Sequence, residues 1–297
     1  MGHVEVRDPG MAGAVDPAAE MERVATGFEF TEGPIWHPGE GTLIFSDMPG
    51  DVMRRWSAAK GVEDFRRPSN KANGNAYDRE GRIVTCEHAT SRVTRTEADG
   101  GITTLAETCQ GKTLNSPNDV VVGPDGAIWF TDPTFGRMEY YGVPRAQELD
   151  VQGVYRIDPA GELAAVATDF GQPNGLCFSL DKRRLFVNDT AKAHIRVFDL
   201  AADGGLSGGD VWAAPKGEGA GAPDGMKLDA AGRVYCTGPG GIHVFAPDAT
   251  PLGVILTPEN VANFTWGDED LRTLYLTAST SLYRIRTETP GVDLFRP

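Results

Sequence analysis

The feature that most constrains the fold is a segment of about 17 residues that recurs six times along the chain. Each copy has a polar residue in second position and a short apolar stretch. A turn rich in Asp, Gly and Pro follows, and then a second apolar stretch begins about a dozen residues further on. This pattern is typical of a β-hairpin. The copies begin at Thr31, Ala72, Pro117, Pro173, Pro223 and Ala262.

A third strand-like piece with alternating apolar and polar residues follows each hairpin. The six pieces read DVMRRWS, SRVTRTE, GVYRIDP, HIRVFDL, GIHVFAP and SLYRIRT. The repeats lie roughly 40 to 55 residues apart, which suits one four-stranded blade each, and no segment offers a long helical period. The chain of 297 residues is therefore predicted to be an all-β protein, a six-bladed β-propeller with four-stranded blades around a central channel.

The repeat also predicts the domain organisation. Residues 24–297 are expected to form a single propeller domain, and residues 1–23 a flexible N-terminal arm that could alternatively dock on the body. The stretch FGRMEYYGVPRAQELDVQ, shortly after Asp132, interrupts the third repeat. Because long loops in compact domains are often functional, it is a candidate lid or pocket wall.

Composition narrows the partners and the compartment. The net charge of -14 disfavours nucleic acid and anionic membrane surfaces, since both would repel the protein. The four cysteines form no CxxC pair, the first twenty residues lack a signal-peptide core, and no run is long enough to span a membrane. We therefore expect a cytoplasmic protein with a small-molecule ligand, as a monomer or a small homo-oligomer.

The second-position residues of the repeats carry the functional signal. In a propeller the innermost strands line the channel, so one repeat position forms a ring around the axis. Asn, Asp and Gly at this position could simply reflect turns. However, Glu32 is a poor turn former and occupies the equivalent position, which favours a shared site. The six residues are Glu32, Asn73, Asn118, Asn174, Asp224 and Asn263.

A ring of oxygen donors without His or Cys is what a hard cation prefers. Glu32 and Asp224 would neutralise a divalent ion, while Asn118 and Asn174 would add carbonyl oxygens without excess charge. Two buried carboxylates facing each other would be costly without a cation. The pattern predicts one divalent metal ion, with Ca²⁺ as the first candidate and Mg²⁺, Mn²⁺, Zn²⁺ or Fe²⁺ as alternatives.

These segments resemble a known family. FTEGPIWHP around Glu32, PNG around Asn174 and PDGM around Asp224 are similar to the three metal-binding segments of the gluconolactonase, regucalcin and luciferin-regenerating family of six-bladed propellers. The resemblance extends from about Val24 to the C-terminus. NSPNDVVVGPDGAIWFTDPTFG and YYGVPRAQELDVQGVYRIDP resemble the bacterial sugar-lactonase branch.

The resemblance implies Glu32, Asn174 and Asp224 as metal ligands, with Asn118 as a fourth ligand or a substrate contact. It implies metal-dependent hydrolysis of a sugar lactone, an aldonolactone such as gluconolactone, to the aldonic acid. One departure matters for specificity. Regucalcin-like members have an Arg two residues before the Asn, whereas this chain has Ser116, so their sugar preference cannot be transferred.

Lactone hydrolysis needs a polarised carbonyl and an activated water, and a divalent cation can serve both needs. The resemblance makes Asp224 the first candidate for the general base. Asp132, in the WFTD segment, is the alternative acid or base, or else a turn residue before a proline. Glu87 and His88 lie at a matching strand end, and with Asn73 they are further candidate substrate contacts.

Two other readings of the ring remain open. A phosphotriesterase-like metal hydrolase would use the same oxygens on a phosphorus ester. A non-catalytic propeller that serves as a binding scaffold would use none of this chemistry. No GxSxG, Walker-type or GxGxxG motif is present, which argues against serine hydrolases, NTPases and dinucleotide enzymes.

Overall fold

The computed structural model describes residues 4–292 and confirms the propeller. Six antiparallel sheets, which we call blades one to six in order of their innermost strands, surround a central channel. The six sequence repeats predicted this arrangement, because each repeat contributes one sheet whose inner strand is buried. Within the described range, no helix is long and apolar enough to cross a membrane.

The strands follow one another in the order that the repeats predict. Two strands precede the blades: β1 (Val4–Val6) and β2 (Glu22–Thr26). Blades one and two contain β3 (Thr31–His37), β4 (Thr42–Asp47), β5 (Val52–Ser57), β6 (Gly61–Arg66), β7 (Ala72–Tyr77), β8 (Ile83–Glu87), β9 (Arg92–Thr96) and β10 (Ile102–Ala106). A small ribbon, β11 (Thr108–Cys109) and β12 (Lys112–Thr113), leads into the third blade.

Blades three and four contain β13 (Val120–Val122), β14 (Ile128–Asp132), β15 (Gln152–Ile157), β16 (Leu163–Phe170), β17 (Pro173–Phe178), β18 (Arg184–Asp189), β19 (His194–Leu200) and β20 (Leu206–Ala213). Blades five and six contain β21 (Met226–Leu228), β22 (Val234–Gly238), β23 (Gly241–Phe245), β24 (Pro251–Leu256), β25 (Val261–Gly267), β26 (Thr273–Ala278) and β27 (Ser281–Arg286). Two short 3-10 helices span Pro9–Gly13 and Phe135–Arg137.

The ring closes through both ends of the chain. The inner strands β3, β7, β13, β17, β21 and β25 each contact the inner strands of both neighbouring blades. Blade six takes its outermost strand, β2, from the N-terminal region, where Glu22 pairs with Arg284 and Thr26 with Ser281. Because β2 continues into β3, the inner strand of blade one, this pairing ties the first and last blades together.

The N-terminal segment packs on the body, the alternative that the sequence left open beside a flexible arm. Strand β1 pairs with β24 and becomes a fifth strand of blade five, and the first 3-10 helix follows it. Met11, Ala14 and Val15 are fully buried against blades five and six. Burying an apolar side chain the size of Met or Val contributes about 2 kcal/mol, which accounts for the docked placement. Only residues 1–3 of this segment lie outside the described range.

The hydrophobic core is divided into six clusters, and each one lies between two adjacent blades. Trp129, for example, packs between blades three and four, and Trp266 between blades five and six. Because both indoles are almost fully buried, they belong to the blade cores. This arrangement holds the inner strands in fixed register around the channel.

Candidate active site

The ring residues are held in place by close contact between neighbouring inner strands. The inner strands of blades one, two, four and six each change register at or just after the second-position residue. A Cβ on Gly175 would lie 2.0 Å from the backbone oxygen of Asp224. The N–H of Gly175 donates to that same oxygen at 3.1 Å. Asn174 and Gly175 of blade four therefore lie inside a strand. Glycine is needed at position 175 because the next blade approaches closely.

Glu32 and Asp224 form the centre of the site. Glu32 is 3% exposed, and one of its carboxylate oxygens accepts the N–H of Gly33 at 2.8 Å. Burial raises the pKa of Glu32 to about 7, and the negative charge of Asp119 adds to this effect. Burial of the Asp224 carboxyl, together with its charge repulsion from Glu32 and Asp119, raises the pKa of Asp224 well above its usual range.

Asn174 completes this group and supplies an oxygen that has no partner. Its side-chain N–H donates to the Thr190 hydroxyl at 3.1 Å, and that hydroxyl in turn donates to the carbonyl of Pro223. The amide also acts, against the effect of burial, to lower the pKa of Asp224. The Oδ1 atom of Asn174 is buried without a hydrogen-bond partner in the described structure. Because buried polar atoms are normally satisfied, this oxygen next to two carboxylates fits a hard cation.

Asn118 is placed on the same ring by its backbone. Its N–H donates to the carbonyl of Thr131, and its own carbonyl accepts the N–H of Gly74, both at 2.8 Å. The first bond lies within blade three and the second joins blades two and three, and the residue is 4% exposed. Its neighbour Asp119 is the residue whose charge acts on Glu32 and Asp224.

Three further residues of this site were not assigned a role from the sequence. Asp119 and Asn263 are almost fully buried, and Lys227 is half-buried. The repeat alignment does contain a signal for two of them. Asp119 occupies a slot that is glycine in four other repeats, and Lys227 is the only charge in a slot that is otherwise apolar or sulfur-bearing. The two positions that depart from the repeat consensus, Asp119 and Lys227, thus both lie at the channel.

Asn73 and His88 form a neutral pair at the edge of the site. The Asn73 amide nitrogen lies 3.1 Å from Nε2 of His88, and Nδ1 of His88 lies 3.0 Å from the carbonyl oxygen of Tyr141. Burial lowers the pKa of His88 to about 4, and the nearby charges of Arg145 and Lys71 act in the same direction. His88 is therefore neutral, donates through Nδ1 and accepts the Asn73 amide at Nε2.

Glu87 faces a different set of partners. Burial opposes its ionisation, but hydrogen bonds from Thr90, Arg66 and Arg92 outweigh that effect and lower the pKa of Glu87. Arg66 and Arg92 both form ion pairs with the carboxylate. The structure thus places Glu87 in an ion-pair network at the end of β8, apart from the acid pair of Glu32 and Asp224.

Asp132 also has both carboxylate oxygens engaged. They accept the backbone N–H groups of Asn115 and Ser116, each at 2.8 Å. Asp47 and Asp189, the last residues of β4 and β18, accept two successive backbone N–H groups in the same way. Burial raises the pKa of Asp132 to about 7, although these two amides lower it. Its geometry is that of a clamp on the segment that carries Asn118.

The loop between β14 and β15 forms one wall of the site, at the place where the sequence predicted an insertion. Arg145 fastens it by donating to the carbonyls of His88, Ala89 and Asn115. The Tyr141 side chain packs edge-on against Phe30 at 5.4 Å between ring centroids. Burial raises the pKa of Tyr141, with further contributions from Tyr140, Asp224 and Glu32, so its hydroxyl group is within electrostatic reach of the acid pair.

Ser116 takes part in anchoring this loop. Its hydroxyl donates to the carbonyl of Pro133 at 2.6 Å and accepts the N–H of Gly136 at 3.0 Å. A Cβ on Gly136 would lie 2.6 Å from Cβ of Ser116 and 2.7 Å from a ring carbon of His88. The space beside Ser116 is therefore filled by the loop, which explains why a long arginine side chain has no room here.

The fold and the site define the class of protein: a six-bladed propeller whose channel gathers two carboxylates and an amide oxygen from three blades. Among residues 4–292, no three His, Cys, Asp or Glu side chains are arranged as a metal site. The fit to a cation therefore depends on the amide oxygens as well as on Glu32 and Asp224.

Comparison with known proteins identifies the family. The model of the SMP-30/Gluconolactonase/LRE-like region matches residues 30–280, and the chain belongs to this family. It is 30% identical to a gluconolactonase of Zymomonas mobilis over 98% of this chain and 88% of that protein. It is 27% identical to the pentonolactonase XacC of Haloferax volcanii over 86% of this chain and 84% of that protein. These relatives are named for lactone hydrolysis, so the family is one of lactone-hydrolysing enzymes.

Solved structures agree. The gluconolactonase XC5397 of Xanthomonas campestris superposes with a TM-score of 0.89 at 34% identity, covering 96% of this chain and 95% of that one. The calcium-binding protein regucalcin of Agrobacterium tumefaciens superposes with a TM-score of 0.77 at 18% identity, covering 94% of this chain and 98% of that one. At that identity, the second match shows the shared fold alone.

Proposed function

We propose that this protein hydrolyses a sugar lactone, an aldonolactone such as gluconolactone, to the aldonic acid with one divalent cation. Glu32, Asn174 and Asp224 would hold the cation, and Asn118 would serve as a fourth ligand or as a contact to the lactone. The observation that carries the proposal is the buried Oδ1 atom of Asn174, which has no hydrogen-bond partner beside the two carboxyl groups. The lactonases among the relatives support the same reaction.

The donor set supports calcium as the first candidate, because carboxylate and amide oxygens suit a hard cation. Mg²⁺, Mn²⁺, Zn²⁺ and Fe²⁺ are the alternatives. When bound, the cation supplies Lewis-acid polarisation of the lactone carbonyl and makes a nearby water easier to deprotonate.

The protein's own residues then position the lactone and move the proton. Water adds to the carbonyl carbon, the bond from this carbon to the ring oxygen breaks, and the ring oxygen leaves as a hydroxyl group. Asp224 is our candidate to accept the proton from the water and to return it to the leaving oxygen. The partly buried Tyr141 ring would form the wall against which the sugar lies.

Asp132 receives a different role in this proposal. Both of its oxygens accept backbone N–H groups, so it is engaged in holding residues 115–116. We assign it as a positioning residue that fixes the segment leading to Asn118. Asn73 would orient His88 through their hydrogen bond, and His88 would hold the backbone carbonyl of Tyr141.

The test is a panel of aldonolactones, glucono- and xylonolactone among them, followed by pH-stat detection of acid release. The protein is stripped with a chelator and then loaded with one cation at a time. We expect turnover that depends on the cation and is lost in Asp224→Ala, while the exposed Asp210→Ala retains it. An organophosphate in the same assay separates the phosphotriesterase alternative. Full activity of Asp224→Ala, or absence of turnover with every cation, would overturn the proposal.

A further inference from the structure

Lys227 places a positive charge inside the channel, next to the acid pair. Its ammonium nitrogen lies 3.3 Å from Oδ1 of Asn263 and 5.9 Å from the ring centroid of Phe264. The side chain is half-buried. The same slot in the other five repeats holds no charged residue: Ile35, Ala76, Val121, Cys177 and Trp266. A lysine here therefore needs a reason that blade packing does not supply.

Asn263 connects this lysine to the acids. Its Oδ1 atom accepts from Lys227 and, at 2.9 Å, from the backbone N–H of Phe264. Its nitrogen is left to donate, and this side chain acts, against the effect of burial, to lower the pKa of both Glu32 and Asp119. The charge of Lys227 acts on both of these carboxylates. Asn263 thus links the ammonium group of Lys227, which it contacts directly, to the two acids on which its amide acts.

The charges around the channel can be counted. When ionised, Glu32, Asp119 and Asp224 carry three negative charges, and those of Glu32 and Asp119 both act on buried Asp224, where Coulomb interactions are stronger than in water. A divalent cation would neutralise two of them. The third would remain uncompensated, and a buried uncompensated charge is costly. Lys227 supplies the missing positive charge without competing for the ligand oxygens.

We propose that Lys227 is a built-in counter-cation, which sets the charge of the channel so that a single divalent ion completes neutrality. This inference rests on the proposed cation site. It goes beyond that site by assigning Lys227 and Asp119 as the pair that determines cation charge preference. Removing the lysine should make the site favour a more highly charged cation, and removing Asp119 should have the opposite effect.

The experiment measures cation affinity directly, with no turnover involved. Binding of Ca²⁺ and of Tb³⁺ is followed by calorimetry and by Tb³⁺ luminescence in wild type, Lys227→Gln, Asp119→Asn and the double variant. We expect Lys227→Gln to bind Tb³⁺ about tenfold or more tightly than wild type, and Asp119→Asn to bind it correspondingly more weakly. The double variant should return to the wild-type Tb³⁺ to Ca²⁺ preference.

Two controls keep the outcome interpretable. Lys227→Arg retains the charge and should retain the wild-type preference, while the exposed Lys60→Gln should change nothing. Thermal melts identify any variant that is not folded, in which case Lys227→Met replaces Lys227→Gln. Wild-type cation binding with no change in preference in Lys227→Gln would overturn this inference alone. Absence of any cation binding by wild type would overturn the proposed cation site and the inference with it.

Discussion

Burial and the nearby charge of Glu32 together raise the pKa of Asp224, although Glu32 belongs to the first blade and Asp224 precedes the inner strand of the fifth. Without a cation, burial and charge repulsion favour a proton on one of two such carboxyl groups. A cation between them would replace that proton at neutral pH. The relationship therefore connects the fold, which brings the two blades together, with the proposed chemistry.

Gly175→Ala is expected to disrupt the ring from the backbone. The added Cβ would lie 2.0 Å from the carbonyl oxygen of Asp224, a clash that requires the two inner strands to separate. We expect a loss of about 2 kcal/mol or more in the free energy of unfolding, measured by urea denaturation, together with weaker cation binding. Gly39→Ala is the matched control, because its nearest neighbour would be at 3.4 Å. Equal stability of the two variants would argue against close packing as the reason for this glycine.

Asp132→Asn distinguishes a clamp from a catalytic acid. The amide would present an NH₂ group to one of the two backbone N–H groups that the carboxylate now accepts. We expect a loss of about 1–3 kcal/mol in the free energy of unfolding, with kcat per folded molecule reduced only modestly. Asp189→Asn, at the corresponding clamp of blade four, should lose a similar amount. A fall of several orders of magnitude in kcat at unchanged stability would instead support the catalytic role that the sequence suggested.

His88 should make stability sensitive to acid. Its pKa in the folded protein is about 4, against 6.5 when it is exposed. As the pH falls from 6.5 to 4, the unfolded chain gains a proton at this histidine and the folded protein does not, so stability decreases. The full effect is about 3 kcal/mol.

The measurement is the difference in unfolding free energy between wild type and His88→Gln across this pH range. The difference should be largest above pH 6.5 and should shrink as the pH falls to 4, since the variant has no such group to titrate. Other acids, including Asp132, titrate in both proteins and cancel. A difference that stays constant with pH would show that His88 is already protonated, or accessible, in the folded state.

Tyr141→Ala should weaken substrate binding. This side chain comes from the loop between β14 and β15 and lies within reach of the charges of Glu32 and Asp224. We expect KM for the lactone to rise several-fold with a smaller effect on kcat, because the ring would contact the sugar and not the reacting atoms. Tyr140→Ala removes the neighbouring, half-exposed ring and should leave KM nearly unchanged. Equal effects of the two variants would indicate that only the loop's overall position matters.

Much of the fold followed from the sequence because the repeat is a local pattern. Alternating strands and turn residues predicted six blades, and each predicted third strand is present as β5, β9, β15, β19, β23 or β27. The N-terminal docking could not be predicted in the same way. The pairing of β1 with β24 and the burial of Met11 depend on a partner surface nearly the whole chain away.

The site shows the same division between local and long-range information. Repeat position predicted that Glu32, Asn174 and Asp224 would converge; Glu32 and Asn174 both act on the pKa of buried Asp224, and their role as metal ligands stays a prediction. The partners of Glu87 and Asp132 were beyond the pattern, because an ion pair with Arg66 and a pair of backbone amides depend on three-dimensional placement. Asp119 and Lys227 were visible in the sequence as departures from the repeat. Their roles could be assigned only once the structure showed which charged groups surround them.

The most direct test is the initial rate of gluconolactone hydrolysis as a function of free Ca²⁺ for wild type and Asn174→Ala. If Asn174 supplies a ligand oxygen, the wild-type rate should rise from background to a plateau, and the variant should need about tenfold more cation to reach its half-maximal rate. Thermal stability in chelator should be nearly the same for both proteins. Full activity of the wild-type enzyme in excess chelator, or identical cation dependence of the two proteins, would contradict the account.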